Sequence, residues 1–339
     1  MTLETILLGN DNGFGNTRLF GAQGPVALQS LVATNGTQSI SLWATGGLKR
    51  AGQGRDKPLL IKTDTEFYVG AGAHALGRPV ENLQLERMVG PESKALLYGT
   101  LSLYFASKPK PRAPVKIVTA LPIALAQGEQ GDGLRDQLRA MLVGKHAWST
   151  DPGSDERGER DYKMTIDDVV LTSQPAGAMF DYLLNADGSI SPEKKALRKS
   201  GAFGVMSIGF NTVELMVVAD GQMLAKHVAG DSSGARRVFQ LLNQDGAYSL
   251  GELDSRYRAG LLDISDVLPI WSGEVFGLVD KYWDKMILRR MSTVFVVGGG
   301  AKMLAGPLLK KFQSKLVIPD DPIMSIARGC YRLALTLPK

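Results

Sequence analysis

The feature that most constrains this chain is a glycine-containing strand–turn–strand found once near the start and again past the middle. Residues 5–9 (Thr-Ile-Leu-Leu-Gly) form an apolar run that stops at Asn10-Asp11-Asn12-Gly13, and Thr17-Arg18-Leu19-Phe20 reads as the returning strand. Residues 203–208 and 213–219 repeat the arrangement around Gly209-Phe210-Asn211-Thr212. With Gly15 deleted, both turns read Gly-Phe-Asn-Thr, 196 residues apart in a chain of 339. In each half a later apolar strand also ends in a small-residue or proline turn, at residues 115–122 and 293–301. A duplicated α/β domain produces this pattern. A chance four-residue match produces part of it, and the similar flanking strands are what favour duplication.

Length agrees with duplication, since 339 residues at roughly 100–200 per domain make two domains. The hydrophobic fraction of 44% and charged fraction of 22% supply a core of ordinary globular kind. One cysteine, Cys330, permits no disulfide within the chain and no cysteine-based zinc cluster. His74, His146 and His227 lie far apart without metal-ligand spacing, which argues against a zinc hydrolase. The N-terminal residues lack the basic region and cleavage site of a secretion signal, and no run of about 18 apolar residues predicts a membrane span. A reducing cytoplasm is the expected compartment. The net charge of +5 is compatible with a nucleic acid, an acidic partner or solvent alone. The basic stretches 49–57 and 108–116 have no interleaved aromatics for base stacking, which leaves an adaptor or DNA contact open.

Along the chain, residues 48–57 are predicted to form an exposed loop and 92–106 a helix. Residues 108–114 read as a proline-rich connector, because proline removes donors and restrains the residue before it. The charged stretch 147–161 is predicted to be an exposed hairpin or loop, and 166–171 a strand. A helix follows from Gln174, with Pro175 in the first turn where it is tolerated. Residues 232–243, 273–290 and 323–335 have helical spacing.

Glycine at a strand end lets backbone N–H groups approach a polyphosphate with no Cβ between. Asparagine and threonine add side-chain donors, so two such turns facing one another could clamp phosphates from both sides. Two ordinary hairpin turns would carry the same residues. An aspartate in the first turn would repel phosphate but suits a hydrated Mg²⁺. The run Gly298-Gly299-Gly300-Ala301 suits a flat ligand lying against backbone, or a plain strand-to-helix turn. Neither glycine cluster has dinucleotide-fingerprint spacing, and no Gly-Lys-Ser/Thr follows, which excludes a Walker A loop.

Taken in order, these segments resemble the actin-like ATPases of bacteria and archaea, most of all the plasmid-segregation ParM/StbA group and archaeal actin homologues. Residues 11–17 resemble the family's phosphate-1 loop, and 118–122 its Gly-Leu-Pro strand end. Residues 173–178 resemble its connecting helix and 207–214 its phosphate-2 loop. Residues 297–301 resemble its adenosine motif and 327–331 its C-terminal helix. The resemblance implies a duplicated actin-like, ribonuclease H-like α/β fold, with two domains around a nucleotide cleft. Domain I would be residues 1–170 with 318–339, and domain II residues 171–317.

It further implies Mg²⁺ and ATP, or GTP, as cofactors. Asp11 would place the metal and share catalysis with Gln174, which would orient the attacking water. Asn12, Gly13, Gly15, Asn16, Thr17, Gly209, Asn211 and Thr212 would hold phosphates. Gly298, Gly299, Gly300 and Ala301 would lie against the nucleoside, with Gly234, Arg237 and Gln240 as further ribose and base contacts. A helical arginine such as Arg237 serves equally as a solvated surface charge. Ser207 departs from the family's usual aspartate, which puts turnover in doubt more than binding. The implied activity is a nucleotide-driven filament for DNA segregation or another cytoskeletal role, with itself and a DNA-bound adaptor as partners. A small-molecule kinase or a non-polymerising nucleotide sensor of the same fold are the alternatives. The kinase lacks a convincing acceptor-site aspartate here, while Ser207 favours the sensor.

Overall fold

The computed structural model describes residues 4–34, 58–106, 113–127, 131–151 and 159–338. The loop expected at 48–57 and most of the connector at 108–114 lie outside these residues. Among the described residues there are two sheets. Ten strands make the first, in the spatial order Gly24–Gln29, Asn16–Gly21, Ile6–Asn12, Val115–Leu121, Arg160–Ser173, Gly144–Asp151, Leu59–Lys62, Glu66–Val69, Val32–Thr34 and Arg78–Pro79. The second follows the path Gln222–Met223, Val213–Ala219, Ala202–Ile208, Thr293–Val297 and Leu316–Val317, and Ala229–Asp231 also pairs with Val213–Ala219.

In each sheet an antiparallel hairpin lies beside a parallel strand, and all three strands are buried along most of their length, as strands covered on both faces are. The register makes the duplication concrete. Asp11 lies opposite Arg18 and Asn12 opposite Thr17. Ser207 lies opposite Glu214 and Ile208 opposite Val213. The turns close alike, Gly13 N–H donating to Asn16 O at 3.1 Å and Gly209 N–H to Thr212 O at 2.8 Å. Each of these residues is 196 positions from its counterpart, so the turns are equal in length. The alignment that deletes Gly15 is therefore not the structural one. Gly15 corresponds to Asn211, and Asn16 to Thr212.

Where local pattern and structure part, the reasons are physical. Of the two forms expected for 147–161 the structure has the hairpin, strand Gly144–Asp151 pairing antiparallel with Arg160–Ser173, but its inward side chains are buried and not exposed. The charges at 145 and 151 mask an alternation in which His146, Trp148 and Thr150 are buried. Trp148 stacks between Tyr98 and Tyr162, with centroids at 4.3 and 5.2 Å. The helical stretch at 273–290 is two helices, Leu268–Tyr282 and Lys285–Arg290. Asp284 separates them, its carboxylate accepting the N–H groups of Met286 and Ile287 as an N-cap. The helix Leu250–Arg258 begins at a reciprocal capping box between Ser249 and Glu252.

Two helices fix the base of the first hairpin. The C-terminal helix Ser325–Ala334 lies flat on strand Ile6–Asn12, where a Cβ on Gly9 would run into the carbonyl of Ala327. It crosses helix Gln174–Leu183 at Gly177 and Gly329, so closely that a side chain at Gly329 would overlap the Gly177 carbonyl. A buried ion cluster locks the crossing. Asp181 accepts from Arg328 Nε at 2.7 Å, Arg328 Nη2 at 2.6 Å and Ser325 Oγ at 2.6 Å. These are charge-assisted, bidentate bonds, the strong kind. This cluster holds the C-terminal part of the helix that starts at Gln174, and Ser173 Oγ, accepting the Ala176 N–H at 3.3 Å, caps its N-terminus.

Candidate active site

The two hairpin turns meet across a cleft, and Gly15 is the point of contact. A Cβ there would stand 2.6 Å from the Cβ of Phe210 on the opposite turn. Beneath them lies Asp11, 1% exposed. Arg18 Nη1 donates to its Oδ2 at 2.6 Å, and Gln174 Nε2 donates to its Oδ1 at 3.0 Å. Burial raises the Asp11 pKa, and Arg18 and Gln174 offset part of that rise. Each carboxylate oxygen keeps a second lone pair, so the arrangement can accept a further donor.

From the other half, Glu214 reaches the same place. Its Oε1 accepts the backbone N–H of Ile123 at 2.8 Å, and its buried Oε2 has no hydrogen-bond partner. Burial, with the charge of Asp11 adding to it, pushes the Glu214 carboxyl up to about 8. One carboxylate from each hairpin thus faces the cleft floor, one tied to a cation and the other protonated over much of the neutral range.

The predicted residues divide by role. Gly15, Asn16, Gly209, Gly299 and Gly300 line one cavity of about 170 Å³. A Cβ added to Gly299 would meet nothing within 4 Å, so this residue presents open backbone to that space. Gly298 and Gly300 are tight for another reason. Gly298 has φ of 91°, and a side chain on either residue would strike Ile208 at the end of the second hairpin's first strand. Ala301 is buried behind them. Asn12 and Thr17 brace the first turn: Thr17 Oγ1 bonds Asn12 Oδ1 at 3.3 Å and Ser30 Oγ at 3.1 Å, and Ser30 Oγ donates to Gly13 O at 2.6 Å. Gly234 supports the second turn from below. Its N–H donates to Asn211 O, those of Ala235 and Arg236 donate to Gly209 O and Phe210 O, and its own Cβ position is 2.5 Å from the Phe210 carbonyl. This use of residues 234–235 delays the following helix to Arg236–Leu242, inside the expected span of 232–243. Asn211 is buried in the turn, and Thr212 at the turn's end is half-buried. Arg237 does not reach the cavity. It makes a paired contact with Glu274, Nε donating at 3.0 Å and Nη2 at 2.9 Å, because its helix faces Leu268–Tyr282.

Several cavity residues carry no sequence signal of their own. Arg18 was legible in principle, since an antiparallel hairpin with Asn12 opposite Thr17 must set position 18 opposite Asp11. Asp254, Tyr257 and Arg258 come from the capping-box helix, and Lys302 from the turn after the glycines. That helix also shuts the cleft mouth. Gln29 Nε2 donates to Asp254 Oδ2 at 3.0 Å and to Ser255 Oγ at 3.1 Å. Asn211 Nδ2 donates to Leu83 O at 3.3 Å, and His74 Nδ1 lies 3.4 Å from Ser249 Oγ. Because these contacts join the two halves, widening the cleft must break them.

A duplicated hairpin pair with a parallel neighbour in each sheet, a cleft between the turns and a C-terminal helix returning to the first sheet together define the actin-type architecture. The family model "Actin like proteins N terminal domain" matches residues 9–177, and the chain belongs to the actin-like proteins. Comparison with curated proteins finds no match. Among solved structures, the chain resembles the apo ParM protein of pSK41 with TM-score 0.70 at 15% identity, over 98% of this chain and 97% of that one. It resembles ParM in a 15-stranded filament from Clostridium botulinum with TM-score 0.70 at 17% identity, over 99% and 100%. It resembles the archaeal actin homologue Ta0583 in complex with ADP with TM-score 0.68 at 16% identity, over 97% and 99%. At these identities the likeness concerns the fold. No helix among the described residues is long and apolar enough to cross a membrane.

Proposed function

We propose that this chain binds a nucleoside triphosphate with Mg²⁺ between its two hairpin turns, hydrolyses it, and polymerises in the bound state. The observation that carries the reading is the pair of equal turns, Gly13–Asn16 and Gly209–Thr212, facing each other above Asp11, Arg18 and Gln174. Open backbone at Gly299, in a cavity that Gly15 and Gly209 also line, suits phosphate oxygens and a flat nucleoside. Arg18 supplies positive charge at the cavity wall.

The residues fit a hydrated divalent cation. Asp11 keeps acceptor capacity, and the buried Oε2 of Glu214 has no hydrogen-bond partner, so on losing its proton Glu214 would accept from the ion's water shell. Asp11 would hold the ion through its water shell, and when bound the ion would neutralise phosphate charge. The chain's own part is positioning. Gln174 is fixed through its Nε2 to Asp11, which leaves its amide oxygen to accept a hydrogen bond from, and so orient, a water placed for attack in line with the γ-phosphate. Ser207 contributes no charge where the family has aspartate, so slow hydrolysis is expected.

Nucleotide, by bridging both turns, favours the closed cleft over an open one, and the closed subunit is the form that assembles. The division into residues 1–170 with 318–339 and 171–317 is the one we propose to move. Filaments built this way would serve DNA segregation or another cytoskeletal task, with an adaptor as a further partner and the cytoplasm as the site. The test is calorimetric titration with Mg-ATP, Mg-GTP and Mg-ADP. Saturable micromolar binding of one triphosphate, lost in Gly299→Val, supports the reading, and absence of binding by all three overturns it.

A further inference from the structure

Domain II carries opposite charge at its two ends, and each end exposes an apolar side chain. The helix Leu268–Tyr282 runs between them, about 22 Å at 1.5 Å per residue. At its C-terminal end, Arg290 meets Asp220 at 3.1 Å, and Lys315 Nζ donates to the carbonyls of Leu288 and Arg289 at 2.6 and 3.2 Å. The carbonyls of Arg198 and Lys199 lie beside Gly221, next to that same Asp220. On helix Pro192–Ser200, Lys195, Arg198 and Lys199 are exposed, while Lys194 lies over the Tyr182 ring. Asp220 answers Arg290 in an exposed pair of little worth. Among these cations stands Met286, 76% exposed.

At the N-terminal end of the same helix, Asp263 and Asp266 are both exposed beside Leu261, 72% exposed, and Ile270, 53% exposed. The nearby arginines are engaged within the subunit: Arg258 pairs with Asp254, and Arg256 lies over the Tyr248 ring. Met286 and Leu261 are the two most exposed large hydrophobic side chains among the described residues.

We propose that these ends form the two halves of one head-to-tail contact between copies of this chain. The basic base around Met286, Arg289 and Arg290 docks on the acidic crown around Leu261, Asp263 and Asp266. Charge complementarity selects the partner and its orientation. The two patches differ and sit at opposite ends of a rigid unit, so the contact is heterologous and propagates instead of closing. This inference rests on the filament reading and names the surface that reading leaves open.

The experiment is pelleting of the full chain with Mg-ATP across protein concentration. R289E/R290E and D263K/D266K each raise the critical concentration at least about tenfold, while Mg-ATP affinity and melting temperature stay at the wild-type values. Asp263 also caps its own turn through Ser265, so the melting control matters for that variant. The quadruple variant, with both ends inverted, regains polymer to within about threefold of wild type. In wild type, raising salt from 0.1 to 1 M, which shortens screening from about 10 to 3 Å, raises the critical concentration as well. Either double variant polymerising like wild type overturns the contact, as does a folded, nucleotide-binding quadruple variant that stays soluble. Wild type that binds Mg-ATP yet never pellets overturns the filament reading and this contact together.

Discussion

Arg18 and Glu214 stand at equivalent register positions in the two hairpins, opposite Asp11 and Ser207 respectively. Duplication placed the four side chains around one cleft floor, and divergence gave them unequal charge. The first hairpin carries an ion pair, and the second a hydroxyl facing a buried acid that has one unpartnered oxygen. The site's electrostatics follow from this asymmetry.

Arg18→Gln tests the ion pair. It leaves a fully buried Asp11 with Gln174 as its remaining side-chain donor. Breaking a buried pair from one side costs about 3–5 kcal/mol. Denaturant unfolding of the variant should show a loss in that range, together with at least about tenfold weaker binding of triphosphate. Unchanged stability would mean that Asp11 does not depend on Arg18.

The glycines around the second turn, Gly234 below it and Gly299 and Gly300 after strand Thr293–Val297, should separate by function. Gly300→Ala places a methyl against Ile208, and Gly234→Ala places one 2.5 Å from the Phe210 carbonyl. Overpacking of this kind costs about 1–3 kcal/mol. Gly299→Ala meets nothing within 4 Å, so its melting temperature should match wild type while nucleotide affinity falls. Paired melting curves and nucleotide titrations of the three variants give the readout.

Glu214 makes stability depend on pH. Its folded pKa of about 8 lies above the ordinary 4.5, so between these values the folded state holds a proton that the unfolded state has released. Stability therefore falls as pH rises through that window, by up to about 1.4 kcal/mol per pH unit. Asp11, raised by burial, acts in the same direction at the acidic end. Urea unfolding from pH 5 to 8 should show the slope, and Glu214→Gln should flatten most of it. An equal slope in the variant would place the titration elsewhere.

Gln174→Ala should separate chemistry from binding. Its partner Asp11 retains Arg18, so nucleotide affinity should stay within about threefold, while phosphate release slows by about 10²-fold. Equal losses in both would make Gln174 a structural residue.

Much of this was legible in the sequence because the strands are local and apolar. The two hairpins, the proline-started helix at Gln174 and the last helix stand close to where spacing placed them. The site's floor was less legible, because it depends on pairing across the turn and on contact between distant halves. Arg18 acquires its meaning only opposite Asp11. Asp254 and Arg258 acquire theirs only because Gln29, some 225 residues earlier, meets their helix across the cleft. Arg237 shows the converse: a cation near a glycine turn invites a ligand reading, yet helix packing delivers it to Glu274. The burial of strand Gly144–Asp151 was hidden because its alternation is carried by His146, Trp148 and Thr150 among charges and small residues.

The most direct measurement is pelleting and light scattering of the purified chain with Mg-ATP, Mg-GTP, Mg-ADP and no nucleotide, with phosphate release followed in parallel. The account predicts polymer with a triphosphate, little or none with Mg-ADP or without nucleotide, and phosphate release that lags behind assembly. Absence of polymer with every nucleotide, from a chain shown to bind one of them, would contradict it.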